Sequence, residues 1–267
     1  MRFDNCVTYI VAALLATAIL PAARADKYGL TAQQIVARSA AATQADFNLY
    51  PNYSHIERDR QEGSDKTYRV LMIEGSPYQV LIAENGKPLS ESQQQQEETK
   101  LKQEIAKRKA ENPDERRKRI ANYERDRKRD NTMIQQLTAA FQFQLIRKAK
   151  LGSFDVYVLK ATPKPGYNPP NLDSEVLPGM EGTMWIDQKT FQWVKVTAHV
   201  IHPVSIMGFL AQVQPGTRFE LEKRPVRGKF WAPSHFSMRA NSKILGMFSH
   251  NTWQDQTFSD YRPAQKY

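Results

Sequence analysis

Alternation of apolar and polar residues dominates the second half of the chain and predicts β-strands there. The clearest pattern runs from Gly182 to His202, where aromatic and β-branched side chains predominate, as is typical of a half-buried sheet surface. Successive side chains of a strand point to opposite faces. Both faces are apolar here, so we expect this segment to lie inside a larger sheet. One face would carry Met184, Ile186, Phe191 and Trp193, and the other Trp185, Val194, Val196, Ala198 and Val200.

The connection inside this segment sets the register of a predicted hairpin. It is either a two-residue turn at Gln188-Lys189 or a four-residue loop from Asp187 to Thr190, and both give the same pairing. Met184 would then lie directly opposite Trp193.

The first third of the chain predicts one helix followed by strands. Thr31, with Gln34 three residues later, forms a capping box at the start of the helix. Ser54 to Arg60 is polar and predicts an edge strand. Lys66 to Ile73 and Tyr78 to Glu84 predict a hairpin around a Gly-Ser-Pro turn.

A segment in the middle of the chain is dense in charge. From Glu97 to Asp130 it has thirteen Lys or Arg and nine Asp or Glu, a net charge of +4. Asn112, followed by proline, is a good N-cap and divides the segment into two predicted helices, Ser90–Glu111 and Pro113–Arg129. A separate short helix is predicted from Thr132 to Ala140.

Two interpretations of residues 90–130 are open. Because apolar residues are sparse, the helices can bury little, and they would form a solvated helical hairpin inserted between strands. Alternatively they form a mobile basic arm that contacts anionic lipid or a partner. The cations of that arm would be Arg116, Arg117, Lys118, Arg119, Arg125, Arg127, Lys128 and Arg129.

Strand patterns resume after the charged segment and continue to Tyr261. Pro203 to Gly216 fits either a bent pair of strands or a hydrophobic flap. In all, about eleven strands are predicted at short antiparallel spacings, with helices near the N-terminus and in one insertion. The predicted fold class is therefore α+β with a large antiparallel sheet.

The N-terminus predicts export from the cytoplasm. A short basic start at Arg2, an apolar run from Val7 to Leu20 and a small-residue site predict a signal peptide, residues 1–25, cleaved after Ala25. The rival interpretation is a retained N-terminal anchor. Cys6, the only cysteine, precedes the apolar run, so neither a lipid anchor nor a disulfide is expected in the mature chain.

Charge narrows the choice of partners. The full chain carries +10, and removing two arginines and one aspartate with the signal peptide leaves +9. A basic exported protein most often meets anionic lipid, lipopolysaccharide or cell-wall polymer, although the charge could serve solubility alone. Nucleic acid is not expected as a partner, because export separates the chain from it.

No catalytic, metal or cofactor signature is present. His199 and His202 are three apart on a predicted strand and point to opposite faces, so they cannot share a metal. Neither an HExxH motif, nor paired cysteines, nor a Gly-x-Ser-x-Gly elbow occurs. We therefore expect no enzymatic activity, no metal and no cofactor.

Aromatic and sulfur-containing residues remain as candidates for binding. Such residues usually fill a core, but methionine also suits a cavity that accepts flexible apolar chains. Alternation leaves open which face of each strand is concave. The candidate cavity residues are Trp185, Trp193, Phe209, Phe236, Met238 and Phe248.

These elements together resemble the outer-membrane lipoprotein-sorting (LolA/LolB-like) fold family. The resemblance rests on an export signal, an N-terminal helix, a long antiparallel sheet, and the phrase Gly-Thr-Met-Trp-Ile-Asp from Gly182, followed by a strand at Trp193-Val-Lys-Val. It covers residues 26–89 and 131–262, and the charged insertion departs from it. The anti-sigma-factor regulators of the envelope stress response share this fold.

The resemblance implies an unclosed half-barrel, lidded by helices, that holds lipid acyl chains. It implies one domain from 26 to 262 with the insertion 90–130, followed by a tail at 263–267. The expected function is that of a periplasmic carrier that binds a lipid or an acylated protein. The alternative is an envelope protein-interaction module, such as a stress sensor or assembly factor, without lipid cargo.

Overall fold

The computed structural model describes residues 29–206, 211–228, 230–244 and 248–267. The predicted signal peptide and candidate residue Phe209 lie outside these ranges, and Phe248 is described only by its place at the start of a strand. The helices are α1 Ala32–Leu49, α2 Glu91–Ala110 and α3 Pro113–Ala140. The strands are β1 Tyr53–Gln61, β2 Ser64–Ile73, β3 Ser76–Glu84, β4 Lys87–Pro88, β5 Phe141–Leu151, β6 Phe154–Pro163, β7 Met180–Asp187, β8 Trp193–Val200, β9 Val204–Ile206, β10 Ala211–Val213, β11 Arg218–Val226, β12 Phe230–Ile244 and β13 Phe248–Pro263.

These thirteen strands form one antiparallel sheet that does not close on itself. Its order is β4-β3-β2-β1-β13-β12-β11-β8-β7-β6-β5, and the β9–β10 pair branches from β12. The predicted α+β class with a large unclosed antiparallel sheet is confirmed. Of the two interpretations of residues 203–216, the bent pair of strands agrees with the pairing of β9 and β10.

The polar strand β1 is not at an edge, so that prediction is wrong. It pairs with β2 on one side and with β13 on the other. Its two arginines are neutralised across these neighbours: Arg58 binds Asp65 of β2, and Arg60 binds Asp255 of β13, both with closest approaches of 2.6 Å. Cross-strand ion pairs thus allow a polar strand to occupy the middle of the sheet.

Strands β7 and β8 form the predicted central hairpin in a different register. Met184 lies opposite Val196, and Trp193 lies opposite Ile186. The predicted pairing of Met184 with Trp193 is therefore wrong.

Asp187 accounts for this register. Its backbone N–H donates to the carbonyl of Gln192 at 2.9 Å, and its Oδ2 accepts from the backbone N–H of Thr190 at 2.8 Å. The four residues between Asp187 and Gln192 form the loop, and Phe191 takes a positive φ of 58° there. Side-chain capping by aspartate replaces the turn residues that the sequence lacks.

A bulge at the start of β8 changes which side chains share a face. The register shifts between Trp193 and Lys195, and the extra residue reverses the alternation. Val196 therefore packs with Trp193 and Met184, and not with Val194 as predicted. Ala198 and Val200 follow Val196 onto that face.

Helix α1 covers this face of the sheet, which we call the α1 face. The predicted capping box of Thr31 and Gln34 is confirmed. Three apolar residues of α1, Ala32, Ile35 and Val36, pack on the central strands. They contact a buried cluster formed by Tyr157, Leu159, Met184, Ile186, Trp193 and Val196.

Helix α2 packs on the opposite side, which we call the reverse face. Directly paired residues of neighbouring strands share a face of the sheet, so the α1 face can be followed from Val196 to β2. The successive partners are Leu221, Phe236, Gln256, Asp59 and Lys66. Strand alternation then places Leu71 and Ile73 of β2 on the reverse face. Leu101 and Ile105 of α2 pack against them.

Helix α3 runs from the β2–β3 turn to the start of β5. Ile120 lies beside Gly75 of that turn, and Leu137 packs into the cluster beneath α1. The separate short helix predicted at Thr132–Ala140 is wrong, because the chain continues as one helix from the cap at Asn112. Among the helices of the described ranges, none combines the length and apolar character that a membrane span requires.

Candidate ligand-binding cavity

The buried stripe of α1 changes character along the helix. Its first half is apolar, whereas its second half buries Ser39, Thr43 and Asp46. This second half contacts the sheet through Asp46, which lies 3.3 Å from Lys223 of β11. A cavity of about 370 Å³ lies there between α1, α3 and the α1 face.

The lining of the cavity is mainly aromatic. Its size falls within the range of roughly 300–1,000 Å³ that is usual for small-molecule sites, and mostly apolar linings are typical of such sites. Four polar residues, Thr43, Asp46, Arg127 and Lys223, interrupt it. The apolar residues are Phe47, Tyr50, Tyr123, Trp193, Leu221, Trp231, Pro233 and Phe258.

Arg127 joins the two helices that cover the cavity. From α3 its Nη2 donates to the carbonyl of Phe47 at 2.7 Å, and its Nη1 binds Glu124 at 2.8 Å. Its guanidinium lies 4.4 Å from the centroid of the Phe47 ring and 5.6 Å from that of Tyr123. The cation thus holds α3 against α1 through a charged hydrogen bond and aromatic stacking.

Lys223 and Asp46 form a buried ion pair in the cavity wall. The Lys223 Nζ lies 3.3 Å from Asp46 Oδ2, and both side chains are less than one-tenth exposed. Burial lowers the pKa of Lys223 and raises that of Asp46, while their attraction opposes both shifts. The pair offers a fixed polar point beside the aromatic lining.

Tyr50 and Tyr123 line the cavity as neutral phenols. Burial is the main cause that raises the pKa of each hydroxyl. Both therefore keep their protons at neutral pH and can donate hydrogen bonds.

Two buried polar atoms of lining residues have no hydrogen-bond partner within the described residues. They are the indole Nε1 of Trp193 and the hydroxyl of Thr43. An unpaired buried donor usually costs stability. Here both belong to residues around the same cavity.

The predicted cavity residues are distributed over both faces. Trp193 lines the cavity. Phe236 lies opposite the lining residue Leu221, and Met238 lies opposite Phe219 on the same face. Trp185 packs on the reverse face with Val156, Val158 and Val194, so it does not contribute to this cavity. Phe209 lies outside the described residues.

Several cations of the predicted basic arm are bound to other parts of the fold. Arg119 donates to Glu111, to the hydroxyl of Ser76 and to the carbonyl of Glu74. Arg116 pairs with Glu74 as well, and Arg127 binds α1. Arg117 instead pairs within α3, with Asp114. The exposed cations on α3 include Lys118, Arg125, Lys128 and Arg129.

Asp46 and Lys223 were not among the residues proposed from the sequence, although the sequence contains a signal for both. Lys223 continues the alternation of Phe219 and Leu221 along β11, and Asp46 continues the buried stripe of α1 after Thr43. A charge at an inward position of each element would have indicated a buried pair. Across the described ranges, no three His, Cys, Asp or Glu residues are grouped as metal ligands.

A comparison with solved structures returns proteins of the family that the sequence resembles. A LolA superfamily protein of Nitrosomonas europaea is 12% identical, with 89% of this chain and 95% of that chain covered and a TM-score of 0.33. A domain named as an outer membrane lipoprotein-sorting protein of Vibrio parahaemolyticus is 10% identical, with 85% and 92% covered and a TM-score of 0.31.

A chain of the Pseudomonas aeruginosa MucA/MucB complex is also similar, at 9% identity, with 88% of this chain and 99% of that chain covered and a TM-score of 0.24. No protein-family model and no curated protein sequence matches the chain. All three TM-scores are below 0.5, so these similarities carry no inference about what this chain binds.

Proposed function

We propose that this protein is a periplasmic carrier that binds the acyl chain of a lipid or of an acylated protein. The observation that carries the proposal is the cavity between α1, α3 and the sheet, with its aromatic lining. Burying an apolar chain there would gain about 25 cal/mol for each Å² removed from water. No chemical step is required of any residue.

The geometry also suggests how a ligand would enter. The two helices that cover the cavity, α1 and α3, come from separate parts of the chain. Arg127 of α3 makes one contact between them, on Phe47 of α1. Separation of α3 from α1 would open the apolar lining without disturbing the sheet. The predicted signal peptide supports periplasmic localisation for such a carrier.

The first test is native mass spectrometry of the mature protein purified from the periplasm without harsh detergent. Bound masses in the range of lipids, released on unfolding, are expected. If only the apo mass is found, a fluorescent fatty-acid analogue is added to the purified protein. Failure of the analogue to bind would contradict the proposal.

Leu221→Trp tests whether the ligand occupies this cavity. Leu221 is a partly buried lining residue, and a larger indole would fill part of the space. Bound lipid, or affinity for the analogue, should fall at least about tenfold, equal to about 1.4 kcal/mol. Ile146→Trp adds the same indole to an exposed position and should leave binding unchanged. Equal binding by both folded variants would place the ligand elsewhere.

A second candidate function is an envelope protein-interaction module without lipid cargo. The exposed cations of α3, among them Lys118, Arg125 and Lys128, favour it. Pull-down from envelope extracts would support this function if it recovers one stoichiometric protein and no lipid.

Unchanged binding to anionic liposomes after Lys118, Arg125 and Lys128 are replaced by glutamine would argue against a membrane-contacting arm.

A further inference from the structure

The reverse face of the sheet carries a groove of about 840 Å³ across β8, β11, β12, β13 and β1. One wall is a row of directly paired residues: His199 opposite Arg218, Arg218 opposite Arg239, and Arg239 opposite Trp253. We call this row the cationic wall. Its four side chains are exposed, and Trp253 is 43% exposed.

The second wall is a parallel row two residues further along the strands. It contains Glu220, Ser237, Asp255 and Arg60, again as cross-strand partners. The residues between the two rows also line the groove. Because their side chains alternate to the α1 face, they contribute backbone to its floor.

The carboxylates of the second wall are already paired with other cations. Glu220 binds Lys195 at 2.6 Å, while Asp255 binds Arg60 at 2.6 Å and His235 at 3.0 Å. They are therefore bound to those cations and do not pair with Arg218 or Arg239. Within the cationic wall, His199 itself lies 3.3 Å from Glu181.

Arg218 and Arg239 have no ion pair or hydrogen bond to any other described residue. They nevertheless lie directly opposite each other, and like charges in this arrangement destabilise a sheet. Folding alone does not explain two adjacent, unpaired arginines in a groove. An anionic ligand would relieve their repulsion and use the fork of donors that each guanidinium presents.

The shape of the groove favours an extended peptide. Four strands from β8 to β13 span about 14 Å at about 4.8 Å per strand spacing, which matches about four residues of extended chain at 3.3 Å each. Two walls with a floor between them offer contacts to an extended chain on both sides, which a flat membrane surface would not use. The mixed charge of the second wall suits a peptide with separate acidic side chains better than a compact polyanion, and Trp253 offers an apolar contact at the end.

We propose that this groove binds an extended acidic segment of a partner protein, with its carboxylates on Arg218 and Arg239. The inference is independent of the lipid cavity, because the groove lies on the opposite face of the sheet. A partner could therefore bind whether or not the cavity holds a ligand.

The test uses a dye-labelled ten-residue peptide with four glutamates separated by small residues, measured by fluorescence anisotropy on the full mature protein. Arg218→Gln/Arg239→Gln should weaken binding at least about tenfold and should not lower the melting temperature, because a like-charge repulsion is removed. A merely structural pair of arginines would lower the melting temperature. Arg117→Gln/Arg125→Gln on α3 removes the same charge elsewhere and should change binding less than about twofold.

Three results would overturn the proposal. The first is equal weakening by the two double variants, which would reflect net charge alone. The second is equally tight binding of a peptide with glutamine in place of each glutamate. The third is binding of vesicles of anionic phospholipid through Arg218 and Arg239 while the acidic peptide does not bind, which would assign the arginines to a membrane.

Discussion

His55 illustrates how a single side chain can couple this fold to pH. Its imidazole is buried on β1, stacks on the ring of Tyr261 at 5.1 Å and lies 3.3 Å from the hydroxyl of Tyr50. Burial lowers its pKa from 6.5 to about 4. The carboxylate of Glu57 lies 4.0 Å from the His55 imidazole. Burial raises the pKa of this carboxyl, whereas it lowers that of the imidazole.

The neutral form of His55 is thus favoured by folding. This preference contributes fully to stability above pH 6.5 and is lost as the pH falls towards 4. In that range His55 is protonated in the unfolded chain before it is protonated in the folded one. At about 1.4 kcal/mol for each pKa unit, the loss reaches about 3 kcal/mol. His55→Gln, which stays neutral, should remove this component from the free energy of unfolding measured between pH 7 and pH 4.

Comparison with the parent at each pH separates His55 from Glu57, because Glu57 titrates in both proteins. The exposed His202→Gln variant is the control and should follow the parent curve. Parallel curves for the parent and His55→Gln would contradict the assignment.

At the residue scale, sequence reasoning found part of the cavity. Trp193 was predicted as a cavity residue because aromatic side chains cluster in the central hairpin. The buried pair of Asp46 and Lys223 was missed, because its two members are far apart in the chain and meet only when α1 is laid across β11. The faces of Trp185 and Trp193 could not be assigned from the sequence either. Both are tryptophans of the same hairpin, and only its register and the bulge in β8 place them on opposite faces of the sheet.

At the scale of elements, α2 is held by one buried cation more than by apolar contacts. Arg108 donates to the carbonyls of Ile73 and Ser76 at 2.9 Å each, and its Nε pairs with Glu104 at 2.6 Å. Its guanidinium also lies 5.6 Å from the centroid of the Tyr78 ring. The hydrophobic stripe of Leu101 and Ile105 is thin, so this network fixes the position of the helix on β2 and β3.

Arg108→Ala should lower the free energy of unfolding by about 3 kcal/mol, because it leaves buried carbonyls and Glu104 without their partner. Chemical denaturation measures the change. Lys107→Ala, one residue earlier and exposed, should change stability by less than about 0.5 kcal/mol. Similar effects of both substitutions would show that α2 is held mainly by its apolar contacts.

Most elements could be predicted from the sequence because caps, turns and alternation are local. The capping boxes at Thr31 and Asn112 mark the starts of α1 and α3. The docking of the charged segment could not be predicted, since buried Arg108 and exposed Lys107 are adjacent and chemically alike. Only the packing of α2 on the sheet distinguishes them.

At the scale of the whole molecule, the sheet is completed by strands from the two ends of the chain. β13 lies between β12 and β1, and it connects β1–β4 to the rest of the sheet order. Glu57 and Gln256, which are 199 positions apart, share a hydrogen bond of 2.9 Å across this junction. Such long-range pairing slows folding, because a large loop must close before its contacts form.

Removal of residues 252–267 should therefore abolish cooperative unfolding, since it deletes most of β13, the strand that joins β1 to β12. Removal of residues 264–267 is the matched control. It loses the hydrogen bond from Ala264 to Asn52 at 2.8 Å and the packing of Tyr267, and should cost only about 1–2 kcal/mol. Urea denaturation followed by circular dichroism compares both with the full mature chain. If the larger truncation keeps a single transition with an unchanged denaturant slope, the two parts of the sheet still unfold as one unit without β13, which contradicts the prediction.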